Sequence, residues 1–219
     1  MPDWRELATR AASRYRDGEA RLPEDPDARQ RQLTRMGNTA GATGLALLML
    51  GDSPAAAEWF SHAADRYRES YPDAPPGSWG RPIGAVKARL LAGDWEGASR
   101  DAGWALDEGA AAAESPIGRY AACLALLVLE RWQEARVLAD ALRTHDGFPP
   151  PVGDTLAAIA AEDPLGYVEA IERVLESFET RSDYLEDMPV ADTVLVLQAL
   201  AGRRGLTTEL ASPLLPAAG

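Results

Sequence analysis

The chain has 219 residues, 46% of them hydrophobic and 26% charged, with a net charge of −12 and a single cysteine. That length and composition suit one globular domain with a sizeable core, and they exclude a disordered or collagen-like chain. The acidic balance disfavours nucleic acid as a ligand, because phosphate backbones are held by clustered Lys and Arg, and Lys87 is the only lysine.

Strong helix formers dominate, and apolar positions recur at three- and four-residue steps. The first helix is expected at 3–19. Its opening run, Met1 to Arg16, is polar and amphipathic and lacks the apolar stretch of a signal peptide. A second helix at 27–50 carries Gly37, Gly41 and Gly44 on one stripe. Without the Gly-Lys-Ser/Thr ending that holds phosphate and magnesium, these glycines predict a smooth face for close packing. The third helix, 53–70, opens on Ser53-Pro54, a cap residue ahead of a proline at the first helical position. His62 lies there beside Trp59 and Phe60, a setting that predicts a partly buried, hydrogen-bonded structural histidine.

The loop from Pro72 to Pro82 is long and stiffened by proline, with Trp79 and Arg81 near its end. Both types are enriched at interface hot spots, so they are candidate partner-binding residues; a tryptophan beside glycine also serves as a plug between helices, and both readings stay open for Trp79. Gly77-Ser78-Trp79-Gly80 has no preceding strand and does not make a nucleophile elbow.

Helices follow at 81–92, 94–109, 115–129 and 131–144. Cys123, flanked by AACLALLVL, is expected as core filler. His145 ends a helix, where its charged form would complement the helix dipole. Phe148, in a short Gly-Phe-Pro segment, is expected to plug a gap. Helices at 153–162, 164–180 and 189–204 bring the number to ten. From Asp154 to Asp192 eleven acidic residues face only Arg173 and Arg181. Glu169, Glu172, Glu176 and Glu179 share one side of the 164–180 helix, opposite Val168, Ile171, Val174, Leu175 and Phe178. Asp183, Glu186 and Asp187 prolong the run. These seven carboxylates are the remaining candidate partner-binding residues: a solvated face, or an acidic surface that steers a basic protein such as a nuclease toxin.

Three short turns align without gaps: Leu48 to Ala56, Leu90 to Ala98 and Leu127 to Ala135, recurring at 42 and then 37 residues. Each has an apolar helix end, a two-residue turn and a small alanine early in the next helix, Ala56, Ala98 or Ala135. Short turns force antiparallel neighbours, and the small residues permit close approach. Gly93-Asp94-Trp95 with Ala98, Ala102 and Ala105, and Gly51-Asp52 with Ala56, Phe60 and Ala63, resemble tetratricopeptide repeats, while Glu130-Arg131 departs from the pattern and the spacing exceeds the standard 34 residues. The resemblance implies stacked helix pairs forming an α-α superhelix, with a repeat-like core at about 37–145. A second resemblance lies at the C-terminus. Met188-Pro189-Val190, the apolar helix through Leu195, Leu197 and Leu200 to Arg203-Arg204-Gly205-Leu206, and Ser212-Pro213-Leu214-Leu215-Pro216 look like the end of the immunity protein 49 family of bacterial polymorphic toxin systems. It implies a cytoplasmic protein that neutralises a toxin by binding it.

Neither histidine belongs to a Glu-x-x-His pair or a His-Glu-x-x-His motif, so no metal, catalytic or cofactor-binding residue is assigned. The longest apolar stretches fall well short of the roughly 20 residues that cross a bilayer. The expectation is an all-α, cytoplasmic single domain over 1–219, with acidic C-terminal helices at 153–204 and a tail at 205–219. Its function is expected to be non-enzymatic binding of another protein, with toxin neutralisation the most concrete form. The alternatives are a scaffold or regulatory protein, or a small-ligand-binding or enzymatic helical domain with an interior pocket.

Overall fold

In a computed structural model the chain is all-helical: ten α-helices, two short 3-10 segments and no strand occur among the described residues, 2–217. Residue 1 and the last two residues of the tail lie outside them. The helices are α1 (Trp4–Ala20), α2 (Pro26–Met49), α3 (Ser53–Glu69), α4 (Gly80–Leu91), α5 (Trp95–Asp107), α6 (Pro116–Val128), α7 (Trp132–Arg143), α8 (Pro150–Ala161), α9 (Pro164–Glu179) and α10 (Asp192–Gly202). All ten expected helices are present. Two starts differ by several residues. α8 begins at Pro150 rather than 153, because prolines fit a first turn whose N–H groups have no helical acceptor. α10 begins at Asp192 rather than 189, since Met188, constrained by the following proline, is extended at φ −100 and ψ 99.

Side chains cap helix starts at Asp3, Asp25, Asp52, Ser115 and Asp163, each accepting a backbone N–H from three residues ahead. Each such cap contributes about 1 kcal/mol. At Ser53-Pro54 the cap is therefore Asp52, one residue before the serine expected to cap.

The chain forms two compact units: Met1–Asp94 with Ser182–Val190 and Ala211–Gly219, and Trp95–Arg181 with Ala191–Leu210. In the first, α2 packs against α1 and α3, and α4 against α3 and α2. The glycine stripe is used at two of its three positions. A Cβ on Gly44 would stand 2.7 Å from the buried Phe60 ring, and one on Gly37 would stand 2.8 Å from the Tyr67 ring. Tyr67 is held from its other edge by Gly84 of α4, where a Cβ would come within 2.6 Å, and its hydroxyl donates to Asn38 Oδ1 at 2.8 Å. Gly41 meets nothing within 4 Å. His62 is exposed, not partly buried; its ring lies against Tyr15 and Trp59, with centroids 6.0 and 5.7 Å away, on the outward side of α3.

In the second unit α6 is the innermost helix, buried from Tyr120 to Val128, with α5 and α7 beside it; α8 packs on α7, α9 on α8, and α10 on both α8 and α9. Ala135 is fully buried, and its carbonyl accepts the Cys123 thiol across the α6–α7 contact at 3.5 Å. Burial pushes the Cys123 thiol far up, so it stays protonated and serves as core. Phe148 is buried against Tyr120, with ring centroids 5.3 Å apart, as a plug. His145 Nδ1 accepts the Gly147 N–H at 3.0 Å.

One turn geometry recurs along the chain. After α2, α4, α6 and α8 the last helical residues are followed by a residue of positive φ: Gly51 at 79°, Gly93 at 72°, Glu130 at 57° and Glu162 at 55°. In each, the next N–H returns to a carbonyl five residues back: Asp52 to Leu47, Asp94 to Arg89, Arg131 to Leu126 and Asp163 to Ala158. These bonds satisfy the otherwise orphaned helix-end carbonyls. The fourth turn, at Glu162, lies beyond the repeat-like core expected at 37–145.

Candidate functional site

α9 is the helix whose surface the sequence singles out. Its inner side is anchored by buried Tyr167, Ala170, Ile171, Val174, Leu175 and Phe178, so its outer side is a rigid surface. Glu169, Glu172, Glu176 and Glu179 are all exposed on that side. Steps of four and three residues place Leu165 at the head of the same stripe, and Leu165 is 79% exposed. The arrangement is an acidic row ending in an apolar contact point.

Beside that row, a crevice of about 350 Å³ runs across α7, α8 and α9. Its floor is Ala157, Ala158 and Ala161 of α8, whose small side chains leave a trough between longer ones on the neighbouring helices. The walls are charged in both signs. Asp154 receives Arg143 at 2.7 Å and Arg173 at 3.1 Å, while Asp140 lies 3.5 Å from Arg143 and 3.9 Å from Arg136. The bond to Asp154, partly opposed by burial, holds the Arg143 guanidinium above its ordinary range. Glu169 lines the same crevice and links it to the acidic row. None of the arginine–aspartate pairs was singled out from sequence, although Arg136, Asp140 and Arg143 stand at helical steps of four and three that bring charges onto one side.

The remaining candidates sit elsewhere. Trp79 is half-buried and occupies the N-terminal cap position of α4 without a side-chain cap bond. Arg81 turns inward: its guanidinium donates to Ser70 Oγ at 3.0 Å and to Gln30 Oε1, and burial pushes it below its ordinary range. It ties α2, the end of α3 and α4 together within the first unit. Asp183, Glu186 and Asp187 belong to the first unit and Glu169 to Glu179 to the second, so the acidic segment is not one helix face. Glu186 pairs with Arg14 at 3.1 Å and takes a left-handed φ of 56°, as does Asp187 at 57°.

Among the described residues, no group of three or more His, Cys, Asp or Glu is placed to hold a metal ion, and no helix is long and apolar enough to cross a membrane. No family model matches the chain, and neither a curated protein nor a solved structure does.

Proposed function

We propose that the chain is a non-enzymatic helical-repeat protein that binds another protein, and that in its most concrete form it is an immunity protein neutralising a basic toxin by direct contact. The observation that supports this most is the outer side of α9, where four exposed glutamates run in one row behind the exposed Leu165 on a helix whose other side is locked into the core. Such a surface attracts a basic partner at long range and offers an apolar point for the close contact. A scaffold or regulatory protein would use the same face for a different partner.

The crevice over the alanine floor favours a second reading, a small-ligand site, since carboxylates and arginines converge there. His62, the residue a general acid–base role would need, is exposed in the first unit and forms no part of it.

The test uses the protein encoded immediately upstream in the source genome. If that protein arrests growth when expressed alone, co-expression of this chain is expected to restore growth, and replacing Glu169, Glu172, Glu176 and Glu179 together by Gln is expected to abolish the rescue while the helical circular dichroism is unchanged. An unrelated, harmless neighbour, or rescue that survives the quadruple change, defeats the immunity reading on this surface.

A further inference from the structure

Two consecutive arginines at the end of α10 have surroundings that repeat one another. The Arg203 guanidinium lies 5.0 Å from the ring centroid of Trp95, which opens α5, and pairs with Glu130 in the α6–α7 turn. The Arg204 guanidinium lies 4.5 Å from the ring of Trp132, which opens α7, and pairs with Glu162 in the α8–α9 turn at 2.7 Å. Each arginine therefore fills a receptor made of an indole face from one helix start and a carboxylate from the next turn along the chain. The two receptors share the Glu130-Arg131-Trp132 turn.

The carboxylates come from residues in a conformation that favours glycine. Glu130 and Glu162 stand at positive φ where Gly51 and Gly93 stand in turns of the same geometry. A side chain at that position strains the backbone, and at both sites it meets an arginine that directly follows α10. We infer that Arg203-Arg204 is a two-point clasp fastening α10 to the turns of the second unit, and that Glu130 and Glu162 occupy strained positions in order to receive it. A guanidinium suits both points, because it can lie over an indole ring while one of its N–H groups donates to a carboxylate, whereas a lysine ammonium does this less well.

The two points differ in their response to salt. The Arg203 and Glu130 side chains are 49% and 47% exposed, so their attraction is screened by ions. Arg204 is only 15% exposed, although Glu162 is 63% exposed, and its Nε is buried without a hydrogen-bond partner, so its hold rests more on the contact with the Trp132 ring. The clasp thus makes the docking of α10 partly dependent on ionic strength: the outer point loosens while the inner one holds.

Amide hydrogen exchange on the full-length chain reads this directly, following peptides from 192–206 with peptides from α1 to α4 as reference. Raising salt from about 50 mM to about 1 M is expected to speed exchange in 192–206 roughly threefold and to leave the reference unchanged. Glu130→Gln, which deletes the charge that Arg203 meets, is expected to remove that salt response, and Arg204→Lys, which keeps the charge but loses the planar contact with Trp132, to speed exchange about tenfold at both salts. Should Arg204→Lys fail to fold, the milder Glu162→Gln, which leaves the contact with the Trp132 ring in place, is expected to give roughly a two- to threefold increase. Exchange in 192–206 that is indifferent to salt and to these substitutions overturns the clasp.

Discussion

Changing each glycine of the α2 stripe to alanine separates helix propensity from packing, because Gly37, Gly41 and Gly44 share one helix. In all three the substitution gains about 0.5–1 kcal/mol of helix stability, since glycine loses more backbone freedom on folding. At Gly41 nothing lies within 4 Å of the new Cβ, so the gain stands alone and Gly41→Ala stabilises. At Gly44 the Cβ arrives 2.7 Å from Phe60, a fully buried ring, and at Gly37 it arrives 2.8 Å from Tyr67, which Gly84 holds from the other edge. Overpacking of this kind costs about 1–3 kcal/mol. The propensity gain is common to the three, so the spread between Gly41→Ala and either of the others reports the clash itself, about 1–3 kcal/mol. For a chain of this length that spread is roughly 2–12 °C in Tm. Thermal and urea unfolding followed by circular dichroism at 222 nm measure it. If the three variants shift together, in either direction, the stripe is not a packing face.

Tyr167 is buried with its hydroxyl lacking a hydrogen-bond partner, an arrangement that costs about 1–3 kcal/mol, so Tyr167→Phe is expected to leave Tm unchanged or raise it; a loss of several degrees would show that the hydroxyl is bonded. The same burial pushes the phenol up to about 12 and the Cys123 thiol higher still. Both groups keep their protons in the folded chain after the unfolded chain has begun to lose them, so their contribution to stability is complete below about pH 8 and falls as pH rises through the ordinary thiol range and then the ordinary phenol range. Urea midpoints between pH 8 and 11 should decline, less steeply in Tyr167→Phe, and an unchanged slope would contradict the assignment. Cys123 itself is expected to react with a thiol reagent at pH 8 only at the rate of unfolding, and rapid labelling of the native chain would place it at the surface.

The acidic row of α9 was readable because a single helix carries it: steps of three and four residues collect Glu169, Glu172, Glu176 and Glu179 on one side whatever the tertiary fold. Leu165 was not, since an exposed leucine and a buried one look alike in a periodic pattern, and only the packing of α9 against α8 decides which it is. The crevice was hidden for a different reason. Its Asp154 gathers Arg143 and Arg173 from the helices on either side, and no local rule pairs residues 11 and 19 apart. The inward bonds of Arg81 are hidden in the same way, as its acceptor Gln30 lies 51 residues back.

The turns show why the repeat signal fades along a chain whose geometry does not. The backbone requires a positive φ and a hydrogen bond from the following N–H at all four positions, and glycine meets the first demand without strain, so Gly51 and Gly93 announce their turns. Glu130 is legible only through flanks that align with theirs, and Glu162, with Ala158 to Ala161 before it, has no such flank. Neither glutamate is there for the turn. A residue placed against its own backbone preference needs a reason from elsewhere in the fold, and for both of these it is the same one: an arginine that directly follows α10, 73 residues beyond Glu130 and 42 beyond Glu162.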